Sequence, residues 1–190
     1  MIRIGILGDI GSGKSFVAKS FGYPVFNADD EVAKIYKKNR VCFLKLKKLL
    51  PKHIKAFPMN KTELTNAILS NKNNIKKITK IVHPLIRKKM NLFLLKNKKR
   101  KLVILDIPLL LESKIKIKNM ILVFVDAKKS DILKRLIKRK GFNSKILKRL
   151  REIQLPIDYK KKKSQYIINN FYTKKIARKN VKIFLKEILK

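Results

Sequence analysis

One segment near the N-terminus restricts the fold more than any other part of the sequence. Residues 8–15 read GDIGSGKS and match the phosphate-binding pattern GxxxxGK[ST]. The pattern follows an apolar run of strand length at residues 2–7, and apolar residues at helical spacing come after it. A strand, a glycine-rich turn and a helix in this order predict a polyphosphate site at the edge of a parallel α/β sheet, rather than a chance glycine-rich turn.

Each part of this loop has an expected role. Its glycines let backbone N–H groups turn inward around a polyphosphate, and the next helix points its positive end at the same place. Lys14 adds a mobile charge, and the Ser15 hydroxyl is a ligand for Mg²⁺. We therefore expect ATP or GTP, with Mg²⁺, to bind Gly8, Asp9, Ile10, Gly11, Ser12, Gly13, Lys14 and Ser15.

Four further segments have the length and composition of strands. Residues 102–106 and 120–125 are continuous apolar runs, which are typical of parallel strands covered on both faces. Residues 23–26 and 166–168 are shorter. With residues 2–7 they predict an α/β fold with a five-stranded parallel sheet sandwiched by helices. A terminal amphipathic helix is expected to bury Ile176, Val181, Phe184, Leu185 and Ile188.

Two long stretches interrupt the strands. Residues 29–99 are helical almost throughout, punctuated by Pro51, Pro58 and Pro84, and about seventy such residues are more than one crossover needs. Part of this stretch is therefore expected to form a separate lobe. Residues 128–163 are mostly helical and strongly basic. The chain is expected to be one domain, with a core formed by 1–29, 100–127 and 164–190.

The charge balance is extreme but not specific. Fifty Lys and Arg residues against 12 Asp and Glu give a formal net charge of +38. Such a field attracts nucleic acid, anionic membranes or phosphorylated small molecules. Arg accounts for nine of the basic residues and Lys for the other 41. Because Lys, Ile and Asn share A/T-rich codons, we put codon bias ahead of a nucleic-acid footprint.

Cysteine usage and hydropathy bear on the compartment. Cys42 is the only cysteine, so an internal disulfide is excluded and a reducing environment is expected. The N-terminal apolar stretch runs straight into the glycine-rich loop without a cleavage site, which is unlike a signal peptide. Other apolar runs are far shorter than the roughly 20 residues of a membrane-spanning helix. We expect a soluble, cytoplasmic, monomeric protein.

Three carboxylates are placed to take part in phosphoryl transfer. Asp29 and Asp30 directly follow the second strand, at the edge where ligands collect in open α/β sheets. Asp29 is the favoured general base, although Asp also caps helices. Asp106 ends the third strand and is expected beside Ser15, where it would help hold Mg²⁺.

The segment His83-Pro84-Leu85-Ile86-Arg87 places a histidine, a helix-starting proline and an arginine about one turn apart. Taken alone, this pattern is weak. A lone His and Arg on a helix are more often solvated than functional.

Together these motifs resemble the dephospho-coenzyme A kinase family, and the match runs nearly from end to end. The family's GGIGSGKS resembles residues 8–15, and its DAD resembles Asn27-Ala28-Asp29. Its HPxIR is similar to residues 83–87, and its DxPLLFE to residues 106–112. Further likenesses are RLxxR at 135–139, QxPxxxK at 154–160 and DN at 169–170. The motif HPxIR followed by DxPLLFE at this spacing is far more specific than the phosphate loop, which many kinases share.

The resemblance implies ATP-dependent phosphorylation of the ribose 3′-hydroxyl of dephospho-CoA, the last step of CoA synthesis. It implies that Asp29 is the base and that Lys14 bridges the ATP phosphates. The stretch at about 30–99 becomes a CoA-binding lobe, and a lid lies within about 128–163. Nucleotide-binding roles are implied for Phe16, Arg135, Arg139 and Asn170, and acceptor-binding roles for His83, Arg87, Asp106, Pro108, Leu109 and Glu112.

Several positions depart from the family pattern. Asp9 replaces a glycine and must point away from the phosphates, or like-charge repulsion weakens ATP binding. Asn27 replaces the first acid of DAD and leaves Asp29 as the only carboxylate of that motif. Leu7 and Phe16 replace threonines.

Two alternatives remain open from the sequence. A nucleoside or nucleoside-monophosphate kinase shares the loop, but Asp106-Ile107-Pro108 stands where such enzymes have a Glu-Arg-Ser type motif. A basic nucleic-acid-binding protein with a vestigial nucleotide site predicts aromatic residues among the basic runs. Residues 45–55 and 128–151 contain almost none. No membrane and no specific nucleic acid are expected as partners.

Overall fold

The architecture is described from a computed structural model that covers residues 1–113, 117–139, 141–171 and 174–189. Its central feature is a five-stranded sheet in the order β2-β3-β1-β4-β5, and all four strand pairings are parallel. This confirms the predicted fold class. The strands are β1 (Ile2–Leu7), β2 (Val25–Asn27), β3 (Leu102–Asp106), β4 (Met120–Asp126) and β5 (Tyr166–Asn169).

Within the described residues the chain also forms nine helices. Asparagine side chains cap three of them, by accepting a backbone N–H in the first turn of α3, α4 and α7. The helices are α1 (Lys14–Ser20), α2 (Ala28–Lys38), α3 (Arg40–Leu49), α4 (Lys61–Ser70), α5 (Asn73–Lys96), α6 (Lys129–Ile137), α7 (Ser144–Glu152), α8 (Ile157–Lys163) and α9 (Lys174–Ile188).

The chain divides into two compact units. The sheet unit comprises Met1–Asn27, Leu94–Phe142 and Gln154–Lys190, and the helical unit comprises Ala28–Phe93 and Asn143–Ile153. The functional boundaries expected for the acceptor lobe and the lid remain predictions. Across the described residues, no helix has both the length and the apolar character needed to cross a membrane.

The core of the sheet unit lies between the sheet and helices α1 and α9. All of β3 is buried, and so are residues 4–7 of β1 and 123–125 of β4, as expected for central parallel strands. The Phe184 ring on α9 meets Phe21 and Tyr166 edge-on, with centroids 5.7 and 4.6 Å apart. These contacts hold the C-terminal helix against the helix that follows the glycine-rich loop.

The predicted buried face of α9 needs one correction. Val181 and Phe184 are buried as expected, but Ile176 is 39% exposed and its neighbour Ala177 is completely buried. Positions 177, 181 and 184 form one stripe at helical spacing, and residue 176 lies about 100° around the helix from it. Periodicity could not tell which of two adjacent apolar residues belongs to the stripe.

The expectation that Pro84 starts a helix is also wrong. Helix α5 begins at Asn73 and continues through Pro84 to Lys96. Pro84 is exposed, so its ring lies on the outer side and the carbonyl that loses its helical N–H partner can reach water. The buried residues Ile78, Val82 and Ile86 on the opposite side hold the helix in place across the proline.

Candidate active site

The glycine-rich loop has a backbone that only glycine adopts readily. Gly8, Gly11 and Gly13 have φ values of 147°, 89° and 92°. A Cβ atom at Gly8 would lie 2.8 Å from the Val125 carbonyl oxygen, and one at Gly13 would overlap the Asn170 side chain. The loop is therefore pressed against its surroundings, and side chains at these positions would displace it.

Lys14 lies across the loop that precedes it. Its Nζ atom donates to the carbonyl oxygens of Gly8 at 3.1 Å and of Asp9 at 2.8 Å. Helix α1 begins at Lys14, and the Val17 N–H donates to the Gly13 carbonyl at 3.0 Å. This arrangement brings the lysine ammonium and the positive end of the helix to the same loop, as a polyphosphate site requires.

The Asp9 carboxylate turns back onto its own loop. Its Oδ1 atom accepts the Ile10 N–H at 2.6 Å. A phosphate oxygen that binds this N–H must therefore displace the carboxylate. The sequence raised the question of where this charge points, and the structure places it on a backbone donor of the loop.

Two side chains from other elements hydrogen-bond to the backbone of the glycine-rich loop. The Asn170 amide, which is buried, donates to the Ser12 carbonyl at 2.7 Å. The Arg135 guanidinium donates to the same carbonyl at 3.1 Å and to the Asn170 carbonyl at 3.0 Å. The resemblance implied contacts of these residues with the nucleotide. Their loop-supporting contacts join distant parts of the chain and had no signal in the sequence.

Arg139, expected on the ATP phosphates, lies two residues beyond the end of α6. Its side chain is exposed, and its backbone N–H donates to the Leu136 carbonyl at 3.0 Å. The backbone thus extends the last turn of α6. Its role at the phosphates stays a prediction.

Asp106 ends β3 beside the end of β2. It is only 2% exposed and accepts a 2.8 Å hydrogen bond from the Asn27 side chain, the residue opposite it in the sheet. A carboxylate at position 27 would face that of Asp106 and repel it, whereas the amide donates a hydrogen bond to it. This contact gives the Asn27 departure a physical reason.

The turn after β3 contains the other residues expected near the acceptor. Pro108 and Leu109 are half-buried. The Glu112 carboxylate forms an ion pair with Lys160, with Oε1 and Nζ 2.7 Å apart. Sequence reasoning had placed Glu112 at the substrate and had given Lys160 no role.

The remaining expected residues belong to the helical unit. Asp29 is exposed in the first turn of α2, together with Asp30 and Glu31, where acidic residues are stabilised by the helix dipole. His83 and Arg87 are one turn apart on α5. Burial, and secondarily the Arg87 charge, lower the pKa of the half-buried His83. His83 is therefore neutral at physiological pH.

A ready-made metal cage is not part of this arrangement. Among the residues that the structure describes, no group of three or more His, Cys, Asp or Glu side chains could hold an ion. The expected Mg²⁺ ligands are the Ser15 hydroxyl and the Asp106 carboxylate. Oxygen donors of this kind suit Mg²⁺, which usually completes its shell with water and substrate phosphates.

The glycine-rich loop between β1 and α1, in a parallel sheet of this strand order, defines a phosphate-loop (P-loop) kinase. A shikimate kinase structure from Bacteroides thetaiotaomicron supports the fold. It has a TM-score of 0.53 and 12% identity, and the match covers 100% of this chain and 99% of that one.

The dephospho-CoA kinase family model matches residues 2–175. A dephospho-CoA kinase of Wolbachia pipientis is 34% identical over 184 residues, with 94% of each chain covered. A crystal structure of a Thermus thermophilus protein has a TM-score of 0.74 and 27% identity, and the match covers 98% of this chain and 97% of that one. The chain belongs to the dephospho-CoA kinase family, whose enzymes use ATP in the final step of CoA biosynthesis. The family resemblance seen in the sequence, and with it the expectation of a kinase, is thus confirmed.

Proposed function

We propose that this chain transfers the γ-phosphoryl group of ATP, bound with Mg²⁺, to the ribose 3′-hydroxyl of dephospho-CoA, with Asp29 accepting the hydroxyl proton. A bond forms between the 3′-oxygen and the γ-phosphorus. The bond from this phosphorus to the β,γ-bridging oxygen breaks, and its electron pair leaves with ADP. The observation that carries the nucleotide half of the proposal is the loop of residues 8–15, with Lys14 lying across it.

The sheet unit supplies the ATP side. When ATP binds, the Lys14 ammonium gives up its hydrogen bonds to the Gly8 and Asp9 carbonyls and donates to phosphate oxygens instead. Its positive charge then lies beside the bond that breaks. Ser15, exposed at the start of α1, and Asp106, at the end of β3, are the side chains that would hold Mg²⁺. When bound, the ion neutralises phosphate charge. The Asn27 amide fixes the orientation of the Asp106 carboxylate.

Asp29 is the base because it is the carboxylate of the Asn27-Ala28-Asp29 segment, two residues beyond the end of β2. Ligands of open parallel sheets bind beyond the carboxyl ends of the strands. Its exposure in the first turn of α2 leaves the carboxylate accessible to an acceptor hydroxyl. The alternative, that Asp29 only caps α2, predicts that its amide variant remains active.

Residues of α5 supply the acceptor side. The exposed Arg87 offers a fixed positive charge to a phosphate of the acceptor. The neutral His83 offers a hydrogen bond without adding charge. Arg139 would approach the ATP phosphates from a lid within about 128–163. The proposal includes the cytoplasmic location and the monomeric state expected from the sequence.

The experiment that tests the substrate is ADP release from Mg·ATP with dephospho-CoA. Parallel reactions contain AMP, adenosine, a deoxynucleoside or no acceptor. Release only with dephospho-CoA, and a product phosphorylated at the 3′-oxygen, is the expected result. Equal release with another acceptor would leave the P-loop assignment in place and overturn the acceptor.

A further inference from the structure

The most unusual side chain in the sheet unit is a buried lysine. Lys160, in α8, is 1% exposed although it carries a positive charge. Its Nζ atom lies 2.7 Å from Glu112 Oε1 and donates to Gln154 Oε1 at 2.9 Å. Lysine is almost never fully buried unless it is paired. The two partners are what make this burial possible.

Glu112 binds more than the lysine. Its Oε1 atom also accepts the Leu155 N–H at 2.9 Å. Gln154 and Leu155 are thus both held, one by Lys160 and the other by Glu112. They are the first residues after Asn143–Ile153, which belongs to the helical unit. The ion pair therefore fixes the point at which the chain re-enters the sheet unit.

The next residue of α8 makes a second attachment. Lys161 binds the Asp126 carboxylate at 2.8 Å, at the end of β4. The Asp126 carbonyl accepts the Asn170 N–H at 2.8 Å, and Asn170 in turn supports the Ser12 carbonyl of the glycine-rich loop. Helix α8 is thus bound to the chain beyond β3 and to the end of β4. Those two strands flank β1, which leads into that loop.

The other end of the expected lid is also attached. Arg135, in α6, donates to the Ser12 and Asn170 carbonyls. The chain leaves the sheet unit after Phe142 and returns at Gln154. The segment 136–153 is therefore flanked by residues that hydrogen-bond within the sheet unit, Arg135 before it and Gln154 and Leu155 after it.

We propose that Glu112 and Lys160 are positioning residues of the kinase, and that their buried pair anchors the C-terminal end of the lid. This inference rests on the proposed function, since it gives the lid a catalytic task. Glu112 then acts through Leu155 and Lys160 rather than by touching the acceptor. An anchored end restricts the paths by which the lid can close over ATP, so turnover depends on the pair beyond its effect on folding.

Charge-removing variants separate positioning from folding. Lys160→Met alone leaves Glu112, whose side chain is only 11% exposed, without its counter-charge and is expected to lower Tm strongly. The double variant Glu112→Met/Lys160→Met removes both charges at similar volume and is expected to recover most of that loss. It still lacks the bonds to Gln154 and Leu155. Lys162→Met, an exposed neighbour in α8, is the matched control.

Three readouts are compared with wild type. In the double variant we expect the Leu155 amide to exchange hydrogen at least about tenfold faster, because its acceptor is gone. We expect kcat at saturating substrates to fall about tenfold or more, and the Mg·ADP Kd to stay within about threefold. Lys162→Met should leave all three unchanged.

Wild-type kcat in the double variant, or wild-type protection of the Leu155 amide, would overturn the anchor. So would a loss of Mg·ADP affinity as large as the loss of kcat, because that result indicates general damage to the nucleotide site. If the wild-type protein gave no turnover with dephospho-CoA, the proposed function would fail. The exchange of Leu155 would still decide whether the pair holds the segment.

Discussion

At the scale of single residues, the site is set by which groups occupy which hydrogen bonds. Asp9 binds the Ile10 N–H, Asn27 binds Asp106, and Lys14 binds two loop carbonyls. In two of these contacts, the side chain is one that departs from the family pattern. The first departure places a negative charge on the nucleotide loop, and the second removes one from beside the expected metal ligand.

Replacing Asp9 is expected to strengthen ATP binding. In Asp9→Gly the Ile10 N–H is released and a negative charge leaves the loop, so the KM for ATP should fall about two- to tenfold at low salt, as for a partly screened charge. The KM of Asp9→Asn for ATP should lie between those of Asp9→Gly and wild type, because asparagine keeps a side-chain oxygen that can accept the Ile10 N–H. Steady-state kinetics at two salt concentrations measure the effect. A raised KM in both variants would show that the Asp9 contact shapes the loop for ATP.

The Cys42 thiol is expected to be inert in the folded protein. Burial raises its pKa to about 11 from the usual 9, and the residue is completely buried in the helical unit. Because the folded pKa lies above the unfolded one, this contribution to stability is present below about pH 9 and is lost as pH rises toward 11. Thiol labelling at pH 8 should therefore be slow until denaturant is added. Fast labelling of native protein would contradict the burial.

At the scale of elements, the glycine-rich loop depends on helix α6 and on the segment after β5. Asn170 and Arg135 both reach the Ser12 carbonyl, so neighbouring elements hold the loop in shape before a nucleotide arrives. This preparation lowers the cost of ordering the loop around phosphate.

Asn170→Ala is expected to destabilise the protein and weaken nucleotide binding together. Loss of one buried hydrogen bond costs about 1–2 kcal/mol, and the Arg135 bond to the same carbonyl remains. Denaturant unfolding and Mg·ADP titration measure the two effects. The matched control is Asn180→Ala, which removes a 3.0 Å bond from a half-buried asparagine to the Asn169 carbonyl, away from the loop. An equal loss of Mg·ADP affinity in both variants would contradict a special role for the Asn170 bond to the Ser12 carbonyl.

The elements could be predicted from the sequence where the signal is local. Strands β3 and β4 are continuous apolar runs before their terminal aspartates, and β1 is interrupted only by Arg3 and Gly5. The GxxxxGK[ST] pattern fixes the loop between β1 and α1. Sequence periodicity did not show that α5 continues through Pro84. An exposed proline removes one backbone hydrogen bond of the helix, and the tertiary packing of the buried residues on either side of it keeps the helix intact. The pairs Asn27–Asp106 and Glu112–Lys160 were missed because they join distant segments, and no local pattern records such contacts.

At the scale of the whole molecule, not all of the basic residues behind the net charge of +38 are solvated on the surface. Two consecutive lysines of α8, Lys160 and Lys161, have ion-pair partners within the sheet unit. With only 12 acidic residues in the chain, these carboxylates are scarce. The remaining positive field suits an enzyme whose two substrates are polyanions.

The measurement that most directly tests proton removal by Asp29 is single-turnover phosphoryl transfer by Asp29→Asn, with ATP affinity measured in parallel. Asp30→Asn, its exposed neighbour in the first turn of α2, is the control. We predict that Asp29→Asn slows transfer by about 10²-fold or more and changes ATP affinity less than about threefold, while Asp30→Asn stays near wild type. Transfer by Asp29→Asn at more than about a tenth of the wild-type rate would contradict the assignment of Asp29 as the base.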